Sequence, residues 1–261
     1  MANSFGKTSR LALTAARRRE KTVLADVSFT APFTIMHPFP GPWDAITVMA
    51  QTASAGIMAG DCQEHAITLE DGARLVYTSQ AYEKIHKMAG GSASRHIAIR
   101  QGPDTFLDYQ PLPTIPFKDS AFTNTVDVDL AGPSSQFVMR EVLCCGRAAR
   151  GERFAYRYYR NRITVTRGDR LIYRDNTRFD PLRMDMEGYG LYEGYSHQGN
   201  LLLFGLPRTN DDWLARARNL IDGWPDVTGG ATRTAYGDVV IRVLGNQGQT
   251  LDALFNAILA I

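Results

Sequence analysis

Several carboxylates sit inside apolar, strand-like runs, and their chemistry asks for an explanation. Asp61 follows the apolar segment ending at Gly60, Asp108 lies within Phe106-Leu107-Asp108-Tyr109, Glu141 lies between Val138 and Leu143, and Asp175 comes just after Leu171-Ile172-Tyr173. Arg147 and Glu152 flank Ala148-Ala149. A carboxylate in such a setting costs free energy unless it is paired, hydrated or metal-bound. Two readings are open. Each acid lies on the wet face of a half-buried strand, or together they line a hydrated interior that passes a cation. Cys62 and His65 have a Cys-x-x-His spacing that could pinch a soft or borderline metal, although two ligands are too few for a tight site. Asp127 and Asp129 alternate onto one strand face, where a β-solenoid or jelly-roll carbohydrate-active enzyme could place a carboxylate pair. Arg147 to Arg178 carries ten Arg against three acids, interleaved with Phe154, Tyr156, Tyr158, Tyr159 and Tyr173. That mixture suits a nucleic-acid surface. It equally suits a hairpin with one face in the core and an Arg face toward water or an acidic partner. The sequence has no glycine-rich phosphate loop, GxSxG or HExxH.

The elements that must position these residues are mostly strands. Thr22–Thr30, Phe33–Met36, Ile46–Ala50, Ala66–Leu69, Leu75–Thr78, His96–Ile99, Phe106–Tyr109, Thr125–Leu130 and Gln136–Cys144 read as short strands, with turn signals between them such as Asp71-Gly72. Arg153–Thr166 reads as one long strand, turning at Arg167–Arg170 into Leu171–Tyr173, and Val239–Val243 is a late strand. The prolines of His37–Pro42 exclude a central strand there. Two helices come late. Asn210-Asp211-Asp212 caps Trp213–Ile221, and apolar residues at helical spacing run from Thr250 to Ile261. This pattern predicts an all-β sandwich, barrel or stacked-sheet body, with no composition break within residues 1–261.

Composition narrows the function classes. At 261 residues, 44% hydrophobic and 21% charged, the chain is that of a globular protein. The apolar run Leu201–Leu206 is far short of the ~20 residues a bilayer crossing needs. Twenty-nine Lys and Arg against 27 Asp and Glu give a net charge of +2, which supplies no global drive toward nucleic acid or anionic membrane. Three cysteines, Cys62, Cys144 and Cys145, form no staple pattern. Arg17–Arg19 follow the Leu11–Ala16 apolar patch, the reverse of a secretory signal, so a reducing, cytoplasmic setting is expected.

Five blocks in order carry a resemblance. Ala55–Asp61 resembles the glycine-rich GGD segment of the urease accessory protein UreD/UreH family, and Thr78–His86 resembles its EKIH-containing block. Phe106–Phe117, Glu141–Arg147 with Gly151-Glu152, and Asp175–Pro181 are similar to the blocks that follow. Together they span about residues 8 to 200. The resemblance implies one UreD/UreH-type domain over 1–261, mainly β, with stacked β-sheets in a β-helix-like body and two C-terminal α-helices. It further implies a non-enzymatic scaffold that binds UreF, through it recruits the GTPase UreG, and docks on the urease apoprotein. Nickel would be transient cargo moving along an internal wet channel. Matched residue by residue, the channel acids fall on Asp61, Glu141 and Asp175, with Cys62, His65, Arg147 and Glu152 nearby. Ala59 and Cys62 depart from the family pattern, since Cys62 stands where many relatives carry Glu.

Overall fold

The structure, a computed structural model, describes residues 8–261. The first strands are β1 (Thr8–Arg18), β2 (Lys21–Phe29), β3 (Phe33–Ile35), β4 (Phe39–Pro40), β5 (Ile46–Thr52) and β6 (Cys62–Leu69). They continue as β7 (Arg74–Ser79), β8 (Glu83–Ile85), β9 (Ala93–Gln101), β10 (Phe106–Gln110), β11 (Thr114–Pro116) and β12 (Ala121–Leu130). Next come β13 (Gln136–Cys144), β14 (Tyr158–Arg167), β15 (Arg170–Phe179), β16 (His197–Phe204), helix α1 (Asp211–Gly223), β17 (Val227–Arg233), β18 (Val239–Gly245) and helix α2 (Gly248–Ala260).

From β5 to β14 the chain passes back and forth between two sheets, as a β-helix-like body requires. One sheet has the order β15-β14-β12-β9-β6-β1-β2; the other runs β17-β18-β16-β13-β10-β7-β5-β3, with short strands β4, β8 and β11 beside it. β1, β6, β9, β12 and β14 are mutually parallel, as are β5, β7, β10 and β13. Antiparallel hairpin partners finish the first sheet at both ends, β2 on β1 and β15 on β14.

Strict alternation explains why these segments stack. In β9 and β12 every second residue is buried, so one face of each strand enters the core and the other meets water. Leu13, Ile67, Ile99, Val128 and Val165 meet Leu75, Leu107, Phe137 and Phe204 from the opposite sheet in the main core. The outer face of the second sheet carries a separate core under α1 and α2, where Val138, Leu201, Leu203 and Ile241 pack against Trp213, Leu254, Phe255 and Ile258. Asn210 caps α1 as expected, its Oδ1 accepting from Trp213 N at 2.8 Å.

The structure departs from the sequence reading in three elements. Leu11–Ala16 is no isolated patch but the middle of β1. Leu201–Phe204 is the C-terminal half of β16, buried on both faces between the main core and the helices, which hides its alternation. The long strand expected from Arg153 starts only at Tyr158. Before it the chain makes a short turn at Ala148–Arg150 and takes positive φ at Gly151 and Phe154, and the Phe154 ring packs edge-on against Tyr192 with centroids 4.7 Å apart.

Candidate functional site

Between the sheets, apolar rows lie beside one polar row. Register places Gln63 beside Arg95, Arg95 beside Asn124, Asn124 beside Asn161 and Asn161 beside Thr177, all on inward positions of the first sheet. On the second sheet, Glu141 pairs with Asn200 and Asn200 with Arg242. Hydrogen bonds join the two rows. Arg95 Nε donates to Asn124 Oδ1 at 2.9 Å, and Asn124 Nδ2 donates to Asn161 Oδ1 at 2.8 Å. Asn161 Nδ2 reaches both Glu141 oxygens at 2.9 Å, Asn200 Nδ2 donates to Glu141 Oε2 at 3.1 Å, and Arg242 Nε donates to Asn200 Oδ1 at 2.9 Å. Arg242 also pairs with Asp175.

This file crosses the stack from end to end. At the β2/β3 end is an open cleft of about 920 Å³, lined by Asp61, Gln63, Phe29 and Phe33. An internal cavity of about 30 Å³ follows, among His65, Glu83, Arg95, Tyr77 and Tyr109. A smaller one of about 10 Å³ is shared by Arg95, Asn124 and Glu141. The larger has room for a water or two, and the smaller is at the lower limit for one. At the far end, between β15 and β18, an open cleft of about 620 Å³ is lined by Asp175, Arg242 and Tyr173.

The acids are held differently. Asp61 Oδ2 accepts from Met58 N at 2.7 Å, which fixes it at the cleft wall. Burial pushes the Glu141 carboxyl up, while its hydrogen bond from Asn200 and the nearby Arg95 and Arg242 pull it down. Asp175 accepts from Thr177 Oγ1 at 2.8 Å as well as pairing with Arg242. His65 is buried with neither ring nitrogen hydrogen-bonded. Desolvation, and then the charge of Arg95, lower its pKa to about 3, so the ring is neutral.

Other sequence candidates fall elsewhere. Cys62 and His65 do not converge, because residues three apart on a strand face opposite ways: His65 points inward and Cys62 lies beside Ser94 and Thr8 on the outward phase. Arg147 and Glu152 are absent from the file. β13 ends before Gly146, whose φ of +136° turns the chain away, and the two side chains pair with each other, Arg147 Nε to Glu152 Oε2 at 2.7 Å. The Arg147 guanidinium lies over the Phe117 ring at 4.0 Å, so the pair fixes a surface loop. Asp108 lies on the other face of the second sheet, bound to Arg140 (Nε to Oδ1, 3.2 Å), which also reaches Asn256 of α2. Asp127 and Asp129 are on the outer face of the first sheet, where Asp127 meets His96 at 2.9 Å and Arg162 at 3.9 Å. Several Arg of the 147–178 stretch are taken up internally, Arg153 by Glu187 and Arg167 by Asp238. Among the described residues no three His, Cys, Asp or Glu gather as a metal cage, and no helix is long and apolar enough to cross a membrane.

Sequence reasoning missed Gln63, Arg95, Asn124, Asn161, Asn200, Arg242 and Glu83. A signal was present: at 63, 95, 124 and 161 a polar residue stands two positions before the next inward residues of a strand, as in Arg95-x-Ile97-x-Ile99 and Asn124-x-Val126-x-Val128.

A polar file inside a parallel two-sheet stack is a geometry, and relatives supply its context. The sequence model described as UreD urease accessory protein matches residues 7–261. The chain belongs to the UreD family. UreD of Acetivibrio thermocellus is 36% identical over 99% of this chain and 98% of its own length. UreH of Helicobacter pylori strain P12 is 33% identical over 95% of this chain and 92% of its own. UreD of Haloarcula marismortui is 31% identical over 97% of this chain and 85% of its own. UreD proteins carry the name of accessory proteins to urease, not of enzymes, and this member is likewise no enzyme.

Proposed function

We propose that this protein is a scaffold of urease maturation acting in the cytoplasm. It binds UreF, helps bring the GTPase UreG to the urease apoprotein, and conducts nickel toward the urease active site. One observation carries the reading: a row of inward polar groups and small cavities lies between two open clefts, hydrogen-bonded from Arg95 through Glu141 to Asp175, with Asp61 on the wall of the first cleft and Asp175 on that of the second. Nickel accepts carboxylate, imidazole and water ligands and binds most sites more tightly than manganese, iron or cobalt. A route must therefore hold it loosely. Acids spaced singly along a wet line meet that requirement, whereas a four-ligand cage would retain the ion.

The experiment is urease activation at limiting nickel with Asp61→Ala, Glu141→Ala and Asp175→Ala, singly and together, alongside capture of UreF by each variant. The expected result is reduced nickel loading with UreF capture unchanged. Normal activation by the triple variant would defeat conduction, and failure of the wild-type chain to capture UreF at micromolar concentration would defeat the scaffold.

A further inference from the structure

The interior of the file holds a fixed positive charge. Arg95 is 8% exposed and forms part of the wall of both internal cavities, the one containing His65 and the one containing Glu141. Its Nη1 donates to Glu83 Oε2 at 2.9 Å, its Nε to Asn124 Oδ1 at 2.9 Å, and its guanidinium lies 5.6 Å from the centre of the Phe122 ring. A cation travelling from the Asp61 cleft to Glu141 meets this group on the way. On the near side stands His65, its ring edge-on to Phe33 with centroids 4.9 Å apart and both nitrogens unpartnered. Buried polar nitrogens are nearly always satisfied, so a bare pair beside a cavity points to something that occupies it. Glu83 faces the same cavity, its carboxylate engaged by Arg95.

We propose that the cavity between His65 and Glu83 is a holding station for a borderline divalent cation, with Arg95 as its closing group. In the empty state Arg95 neutralises the Glu83 carboxylate. An arriving cation takes one imidazole nitrogen and the Glu83 carboxylate, with room left for about one water. A nitrogen and an oxygen ligand suit nickel, cobalt or zinc rather than magnesium or calcium. Two protein ligands keep the hold weak, in keeping with the absence of a third His, Cys, Asp or Glu among the described residues. Displaced from Glu83, Arg95 stays tethered to Asn124 and turns its charge toward Glu141, whose carboxylate it already stabilises. While the station is filled, the Arg95 charge beside Glu141 disfavours a second cation there, and its return to Glu83 as the ion leaves frees the next acid.

The direction of travel rests on the conduit reading, but binding at His65 does not. The test therefore uses the full-length chain without urease. Cobalt(II) is titrated by calorimetry and visible absorption into wild type, His65→Gln, Glu83→Gln, Arg95→Met and the Arg95→Met/Glu83→Gln double variant. His65→Gln and Glu83→Gln should weaken binding by at least about tenfold, the lower end of the cost of losing a group that only supports a metal ligand. Arg95→Met should tighten it by freeing Glu83, and the double variant should lose that gain. Because these buried positions bear on folding, the wild-type chain is also labelled with ¹⁵N-histidine and titrated with nickel. The His65 signal should broaden before those of His37, His86, His96 and His197. Unchanged affinity in His65→Gln, no gain in Arg95→Met, or prior broadening at another histidine would each overturn the station. If His65 binds metal while the Asp61, Glu141 and Asp175 variants activate urease normally, the station stands and conduction falls.

Discussion

His65 is buried with no protein partner on either ring nitrogen. Held neutral down to about pH 3, it binds no proton in the folded state over a range where the unfolded ring, with a pKa near 6.5, does. Its folded pKa is depressed, so the stability it contributes is present above about pH 6.5 and is lost as pH falls toward 3. Each pH unit in that window costs about 1.4 kcal/mol, or about 2 kcal/mol between pH 7 and 5. Denaturant unfolding at those two pH values should show His65→Gln losing about 2 kcal/mol less than wild type. Equal losses would mean that the ring protonates freely in the fold. At this scale, the acids were legible because a charge among Leu, Ile and Val is conspicuous. Gln63, Asn124 and Asn161 were not, because an amide in an alternating strand looks the same whether it faces water or a wet seam. The direction of a strand's polar phase depends on its neighbours, and that information lies in strands 30 or so residues away.

Elements were easier to read than side chains. Alternation of period two and turn signals at Asp71-Gly72 and Gly168 marked most strands, and spacing with a capping Asn210 marked α1. What failed was the doubly buried β16 and the segment before β14, where positive φ at Gly151 and Phe154 breaks a run of strand-like residues. The two helices have a shared task, which is to cover the outer face of the second sheet. Phe255 is fully buried there and lies so close to β16 that a Cβ on Gly199 would come within 2.8 Å of its ring. Phe255→Ala should cost about 3–5 kcal/mol of unfolding free energy, the usual penalty for emptying an aromatic site. A loss under about 1 kcal/mol, measured by urea unfolding, would mean that α2 rests loosely on the sheet and can lift. The Asp108–Arg140–Asn256 chain pins the same helix with polar contacts, which accounts for an acid that sequence grouped with the others.

Across the whole molecule, the two layers place oily rows and one polar row side by side for the full length of the stack. Asn161 is the joint at which the row of one sheet meets the row of the other, through its contacts to Asn124 and Glu141. Asn161→Leu should leave UreF capture intact while cutting urease activation, because it strips Glu141 of two hydrogen bonds and puts an apolar side chain across the line. Full activation with this variant at limiting nickel would mean that ions do not travel by this line. The stacking has a second result, which concerns how the molecule is made. β5, β7, β10 and β13 lie side by side in the order of synthesis, as do β6, β9, β12 and β14. Each new coil finds its template already laid by the one before, so a nascent chain can assemble rung by rung as it leaves the ribosome. Until β15 and β18 arrive, though, the growing face is an unfinished ledge on which another nascent copy can begin.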